Sequence, residues 1–187
     1  MNINLFKNVF DILKNSNLRN LEEIVIKGES FLCEPNLNPS YIIAPSFDQG
    51  IGRESYNHVL ADTVIVARNF YEAFNQKKEL EIITQLELGT ILRTRREKDV
   101  CTINGHYTRI KSLKKMSNSC LKEFMREVEG KLYFDYCQKE PFFDYIEKDY
   151  LNGTDILIIT HPRHLKRVLD IAKKSGINGK PFIRKER

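Results

Sequence analysis

DILIITHPRHLKRVLDIAKKSG, residues 155–176, holds two periodicities in direct succession. Ile156, Leu157, Ile158 and Ile159 form an apolar run, rich in β-branched residues and without alternation. A strand buried on both faces reads this way, and such strands belong mostly to parallel sheets flanked by helices. Helical spacing follows at once, with Leu165, Val168, Leu169 and Ala172 on one stripe. Pro162 suits a first helical turn, Lys173 and Lys174 a last one, and Gly176 a C-terminal cap. The stretch therefore predicts a strand, a tight turn and a helix. The turn, residues 160–164, carries two of the four histidines.

Working outward, residues 41–47 (YIIAPSF) predict a short apolar strand and residues 48–52 a glycine-containing turn. A helical pattern runs from 53 to 74, with Leu60, Val64, Ala67, Tyr71 and Phe74 on one stripe. Residues 80–88 (LEIITQLEL) predict a second strand centred on Ile82 and Ile83, which completes a right-handed crossover unit. Residues 21–33 are ambiguous between a helix interrupted at Gly28 and a strand, and 34–40 predict a loop. In the less regular 89–150, residues 90–95 extend or pair with a strand. Residues 117–128 read as helix, 131–137 as a half-exposed strand, and 141–151 as a short helix. Residues 181–183 predict a last short strand.

The 187 residues suit a single α/β domain spanning 1–187, with 89–150 as an insertion-like segment. The chain is 41% hydrophobic and 29% charged, ordinary for a globular protein, and no apolar run reaches membrane-spanning length. The opening 14 residues read as an amphipathic helix packed on the domain, or alternatively as an interfacial membrane helix; no small-residue cleavage site follows, which argues against a signal peptide. Cys33, Cys101, Cys120 and Cys137 form no CxxC pair and fit free thiols in a reducing cytoplasm.

The net charge of +5 is unevenly spread. Residues 93–126 hold ten Lys/Arg against three Asp/Glu, residues 127–151 three against seven, and residues 160–187 nine against two. Basic blocks of this kind line an anion site or track a phosphate backbone, or else form a solvated surface. A nucleic-acid-binding module using 93–126 and the basic C-terminal tail is thus an alternative function, although no helix-turn-helix or zinc-finger signature accompanies it.

In a doubly wound sheet the loops after the carboxyl ends of neighbouring strands meet at one crevice. Two loops here have the polar content for it. The first supplies Ser46, Asp48, Gly50, Gly52, Arg53, Glu54, Ser55 and Asn57, and the second Thr160, His161, Arg163, His164 and Arg167. A helix N-terminus with flanking Arg and His suits a phosphate or carboxylate. His164 is the candidate acid/base because imidazole titrates near neutrality. Arg163 and Arg167 would hold the negative group, and Asp48 or Glu54 would orient a hydroxyl or share proton transfer. Each has a plainer role open to it: Gly50 and Gly52 in an ordinary turn, Glu54 against a helix dipole, His161 as a cap, His58 as a structural helix residue. His161 and His164, three apart, lack the carboxylate motif of a metal site, and no metal is expected.

Thr160, His164 and Arg167, placed behind an apolar strand at these spacings, resemble the last strand-helix unit of the YdcF-like family, which includes the SanA and ElyC proteins. Glu54, Ser55 and Asn57 also match that family's Glu-Ser-x-Asn segment, though His58 stands where Thr is usual and Ala61 where a second Asn is usual. In the family this segment lies just before the final unit, whereas about a hundred residues intervene here. The resemblance covers 155–177 well and 41–88 loosely. It implies a Rossmann-like three-layer fold, a mostly parallel sheet with helices on both faces, and a polar crevice for a small anionic or nucleotide-like ligand such as S-adenosylmethionine. The expected setting is cytoplasmic, with a role in nucleotide, cofactor or envelope-precursor metabolism. A regulatory interaction protein with a degenerate crevice is a further alternative, and oligomeric state is left open.

Overall fold

The computed structural model describes residues 20–47, 51–75, 80–95, 97, 100–103, 109–110, 142–143, 146, 151 and 153–185. Strands β1 (Glu22–Ile26) and β2 (Glu29–Cys33) form an antiparallel hairpin, so the ambiguous stretch 21–33 is strand, turn and strand. The register pairs Ile26 with Glu29, which leaves Lys27 and Gly28 as a two-residue loop with φ of 51° and 78°. Two positive φ values mark the type I′ turn whose twist matches the flanking strands, and Asn suits its first position far better than Lys. Lys27→Asn should therefore raise stability by about 0.5–1 kcal/mol. A urea melt would show this as a higher midpoint at unchanged slope, and a lower midpoint would contradict it.

The elements that follow are β3 (Pro39–Ala44), α1 (Asn57–Asn75), β4 (Glu81–Gln85), α2 (Leu86–Thr94), β5 (Val100–Ile103), β6 (Arg109–Ile110), β7 (Asp155–Ile158), a 3-10 turn (Pro162–His164), α3 (Leu165–Lys174), β8 (Lys180–Pro181) and β9 (Ile183–Arg184). The larger sheet has the order β6-β5-β4-β3-β7-β8. Its inner four strands β5, β4, β3 and β7 are parallel, β8 joins β7 in parallel, and the edge strand β6 is antiparallel. The smaller sheet has the order β1-β2-β9.

Side chains on successive strand positions point to opposite faces, and the core divides accordingly. Ile42, Ile82 and Leu157 join one cluster with Leu60, Val64 and Ala67 of α1 and Leu88, Ile91 and Leu92 of α2. Ile43, Ile83, Ile156 and Ile158 join another with Val168, Ile171 and Ala172 of α3 and with Phe142, Phe143 and Ile146. The stripe expected of α3 is thus buried, apart from a half-buried Leu169. Its end is closed by Gly176 N–H to Lys173 O (3.0 Å) and Ile177 N–H to Ala172 O (2.8 Å), the paired bonds of a Schellman motif. Gly179 then passes over Ile158 so closely that a Cβ would lie 2.5 Å from Cγ1.

Several expectations are corrected. The first helix starts at Asn57, because residues 53–56 form turns closed by Ser55 N–H to Gly52 O (3.0 Å). Phe74, at its far end, is 55% exposed. The strand expected over 80–88 stops at Gln85, and residues 90–95, expected to extend or pair with a strand, are helical through Thr94. Leu86 and Leu88 flank Glu87 in apparent β alternation, but Leu88, Ile91 and Leu92 recur at helical spacing and are all buried. The last strand is two: β8 and β9 lie in different sheets, with Phe182 between them. The opening 14 residues, 117–128 and 131–137 lie outside the described residues, as does most of 141–151.

Several polar side chains inside this framework are tied to defined partners. Arg68 on α1, 5% exposed, pairs with Glu72 (2.8 Å) and Glu97 (3.4 Å), and Glu72 also accepts the N–H of Leu80 (2.9 Å). Tyr71 donates to the backbone oxygen of Glu34 (2.8 Å). Burial pushes the adjacent Cys33 thiol from 9.0 up to about 11, against an opposing hydrogen bond with Tyr71. The same loss of solvent raises the Tyr71 phenol. Both groups lose protons more readily when unfolded. Their contribution to stability is thus complete below about pH 9 and declines as pH climbs through about 11. Urea midpoints taken at pH 8 and pH 10.5 should fall, and Cys33→Val should flatten part of that fall. A midpoint that stays level would contradict a buried, neutral pair.

Candidate functional site

Strand β3 lies between β4 and β7. The chain proceeds from β3 to β4 and β5 on one side and returns to β7 on the other, so connections after β3 and β7 leave the sheet's carboxyl edge in opposite directions. A crevice opens at such a switch of strand order, where α/β proteins bind ligands.

The exit from β3 is fixed by buried bonds. Ser46, 1% exposed, donates its N–H to Gln85 Oε1 (2.9 Å) and its Oγ–H to Glu87 Oε2 (3.2 Å), and its Oγ accepts the N–H of Leu88 (3.3 Å). These bonds tie the end of β3 to the junction of β4 and α2. Phe47 donates its N–H to Asn57 Oδ1 (2.8 Å), and Asn57, fully buried, donates its own N–H to Ser55 Oγ (3.1 Å). The first residue of α1 thereby orients the loop that precedes it.

Across the switch point, buried Thr160 and His161 follow β7. The His161 ring stacks on Phe47 with centroids 4.3 Å apart and 23° between planes, and packs on Tyr56 at 4.2 Å. His164 lies 5.0 Å from Phe47 and 5.9 Å from His161. The residues after β3 and those after β7 therefore meet through four rings. His161 also caps the 3-10 turn, its Nδ1 accepting the N–H of Arg163 (3.0 Å). That bond requires an unprotonated Nδ1, so in the neutral ring the proton is assigned to Nε2.

The expected site residues divide into groups. Ser46, Asn57, Thr160 and His161 are buried near the carboxyl ends of β3 and β7, and His164 is half-buried beside them. Arg53, Glu54, Gly52, Arg163 and Arg167 are exposed. Asp48 and Gly50 lie outside the described residues. His58 is held as a helix residue: its Nδ1 faces an Arg95 Nη2 at 3.3 Å and its Nε2 faces Ile51 O at 3.1 Å, while Arg95 also pairs with Asp62. Arg95, from the basic segment 93–126, is thus engaged within the fold.

Two groups were not expected here. Glu87 is a 4%-exposed carboxylate in the first turn of α2, and Gln85 caps the end of β3. The signal for Glu87 was present as an acid entering a helical stripe (Leu88, Ile91, Leu92), hidden by the strand-like LEL triplet. Among the described residues no group of three or more His, Cys, Asp or Glu is arranged to hold a metal ion. None of the described helices is long and apolar enough to cross a membrane. A cavity of about 310 Å³ lies at the amino end of β7, bordered by Asp155, Asn178 and Lys180, on the opposite edge of the sheet from the β3–β7 switch point.

Compared with family models, curated proteins and solved structures, the chain matches none.

Proposed function

We propose that this chain is a YdcF-like cytoplasmic protein with a Rossmann-like three-layer fold that binds an anionic or nucleotide-containing small molecule at the carboxyl edge of its sheet. The observation that carries this is the junction of the two loops at the β3–β7 switch point, where His161 stacks on Phe47 and packs edge-tilted against Tyr56. Helices on opposite faces of a parallel sheet support the fold. Arg163 and Arg167 stand exposed at the start of α3, where cations and the helix terminus favour a negative group. His164 supplies the proton-transfer group for any reaction at the site.

A thermal-shift screen of nucleotides, S-adenosylmethionine and sugar phosphates tests this. A ligand present at a hundredfold excess over its Kd stabilises by about 2.7 kcal/mol, which is roughly 5–10 °C for a chain of this size. His164→Ala and Arg167→Ala should each reduce that shift by more than half. The proposal fails if no compound stabilises the wild type, or if both variants keep the full shift.

A further inference from the structure

The smaller sheet leaves one full-length strand at an edge. Among the described residues β1 pairs only with β2, and the order β1-β2-β9 places its other side outermost. The remaining sheet edges are protected by their brevity. Strands β6, β8 and β9 have two residues each, and β8 ends in Pro181, which has no N–H to offer. Strand β1 has five residues and no proline. Its Val25 is 68% exposed, the most of any large apolar side chain among the described residues. Such an edge is a template for a further strand. We infer that two copies of this chain associate through β1, running antiparallel, with Val25 of one copy opposite Val25 of the other. This surface is separate from the crevice, and the inference does not depend on what the crevice binds.

The hairpin fixes which backbone groups face outward. Residues flanking a two-residue loop exchange both main-chain bonds, here Ile26 and Glu29, and bonded pairs recur at every second position, Ile24 with Phe31 and Glu22 with Cys33. Glu23 and Val25 therefore direct their N–H and C=O groups away from β2, and the N–H of Lys27 points the same way. With Val25 on the two-fold axis, the two Val25 N–H groups donate to each other's carbonyl oxygens. Each Lys27 N–H then meets the Glu23 carbonyl oxygen of the other copy. An axis perpendicular to the sheet keeps its faces aligned. Ile24 and Ile26, which pack on the core, fall opposite one another across the axis, and exposed Val25 is covered by its own counterpart.

Charge names the occupant as a second copy. Strand β1 opens with Glu22 and Glu23, and Lys27 follows its last residue. The antiparallel pair sets Glu23 of each copy opposite Lys27 of the other, whereas a parallel pair would set like charges side by side. Lys185 already holds the Glu23 carboxylate at 2.5 Å, so little side-chain freedom is lost on pairing. Lys27 is an independent observation. Its φ of 51° is a conformation that asparagine or glycine adopts at lower cost, so the turn itself does not call for lysine. An exposed ammonium facing Glu23 of a second copy gives that position a use.

The test is sedimentation equilibrium of the full chain over about a hundredfold range of concentration reaching about 0.2 mM, because so short an edge makes a weak interface. The wild type should pass from one chain toward two as concentration rises. Val25→Pro removes an outward N–H and no bond to β2, a change that edge strands tolerate, and should weaken association by about tenfold or more. Lys27→Glu and Glu23→Lys should each weaken it by about tenfold, since like charges then face one another. An equimolar mixture of these two variants should associate as the wild type does, because each copy restores an opposite charge to the other. A wild type that stays a single chain throughout overturns the inference. Association that survives Val25→Pro, or that the mixture fails to restore, overturns it as well. Circular dichroism melts establish that each variant folds. Should Val25→Pro or Glu23→Lys not fold, Lys27→Glu, at an exposed turn position, decides alone, and unchanged association there overturns the assignment.

Discussion

Phe182→Ala is expected to lower the free energy of unfolding by about 3–5 kcal/mol, the range for removing a fully buried phenylalanine. Phe182 is 0% exposed and sits between β8 and β9, the two strands through which the C-terminal segment enters both sheets. Its ring packs on Phe31 at 5.3 Å and on Tyr71 at 6.1 Å, and its N–H donates to Ile158 O (3.1 Å). One side chain therefore touches the smaller sheet through β2 and the larger sheet's core through α1. Truncation leaves a void bordered by elements that cannot all collapse into it. Urea denaturation at pH 7 reads the loss directly, and a change under 1.5 kcal/mol would show that the sheets are held together elsewhere. Phe182→Leu, which refills much of the volume, should recover about half.

Arg68→Met is expected to cost about 2–4 kcal/mol. The Arg68 side chain is 6% exposed and its guanidinium meets Glu72 and Glu97, whose side chains are 25% and 20% exposed. Removing one member of a buried pair commonly costs about 3–5 kcal/mol because its partners stay behind as uncompensated charges. The partial exposure of both glutamates allows water to screen them and moves the expectation about 1 kcal/mol below that range. Arg68→Met combined with Glu72→Gln should recover part of the loss. A double variant as unstable as the sum of the two single ones would show that their ion pair contributes nothing. Because Glu72 also accepts from Leu80 N–H at the start of β4, the damage should reach the strand that leads into the crevice. Hydrogen exchange at Ile82 and Ile83 would detect it.

The sheet was legible where burial on both faces left an unmistakable composition. Ile156 to Ile159 and residues 41–44 announce strands with no polar alternation, whereas the placing of β3 between β4 and β7 is seen only in the structure. Residues 80–94 were not legible because strand and helix abut with no turn residue between them; Gln85 is the N-cap of α2 and also receives the N–H of Ser46. The start of α1 was misplaced because Arg53, Glu54 and Ser55 are all acceptable helix residues. What stops the helix is a tertiary bond, Asn57 holding Phe47 N–H, and no local pattern encodes it. The same holds for the site. Single histidines and arginines could be picked out by type, but the contacts of His161 with Phe47 and Tyr56 join residues more than a hundred positions apart. The hairpin turn is a separate case, since Lys27 occupies a position for which its sequence carries no signal.

The order of strands sets a timetable for synthesis. Ile43 in β3 pairs with Ile158 in β7, 115 residues later in the chain. At ribosomal speeds of 5–20 residues per second, that separation is roughly 6–23 s. Through that interval the central strand of the larger sheet has β4 on one side and an open, apolar edge on the other. The smaller sheet waits longer still, because β2 pairs with β9 at Ile183 and Arg184. A nascent chain of this protein thus displays its stickiest edge before the partner that covers it exists, and its yield in a cell will depend on how well that edge is shielded during translation.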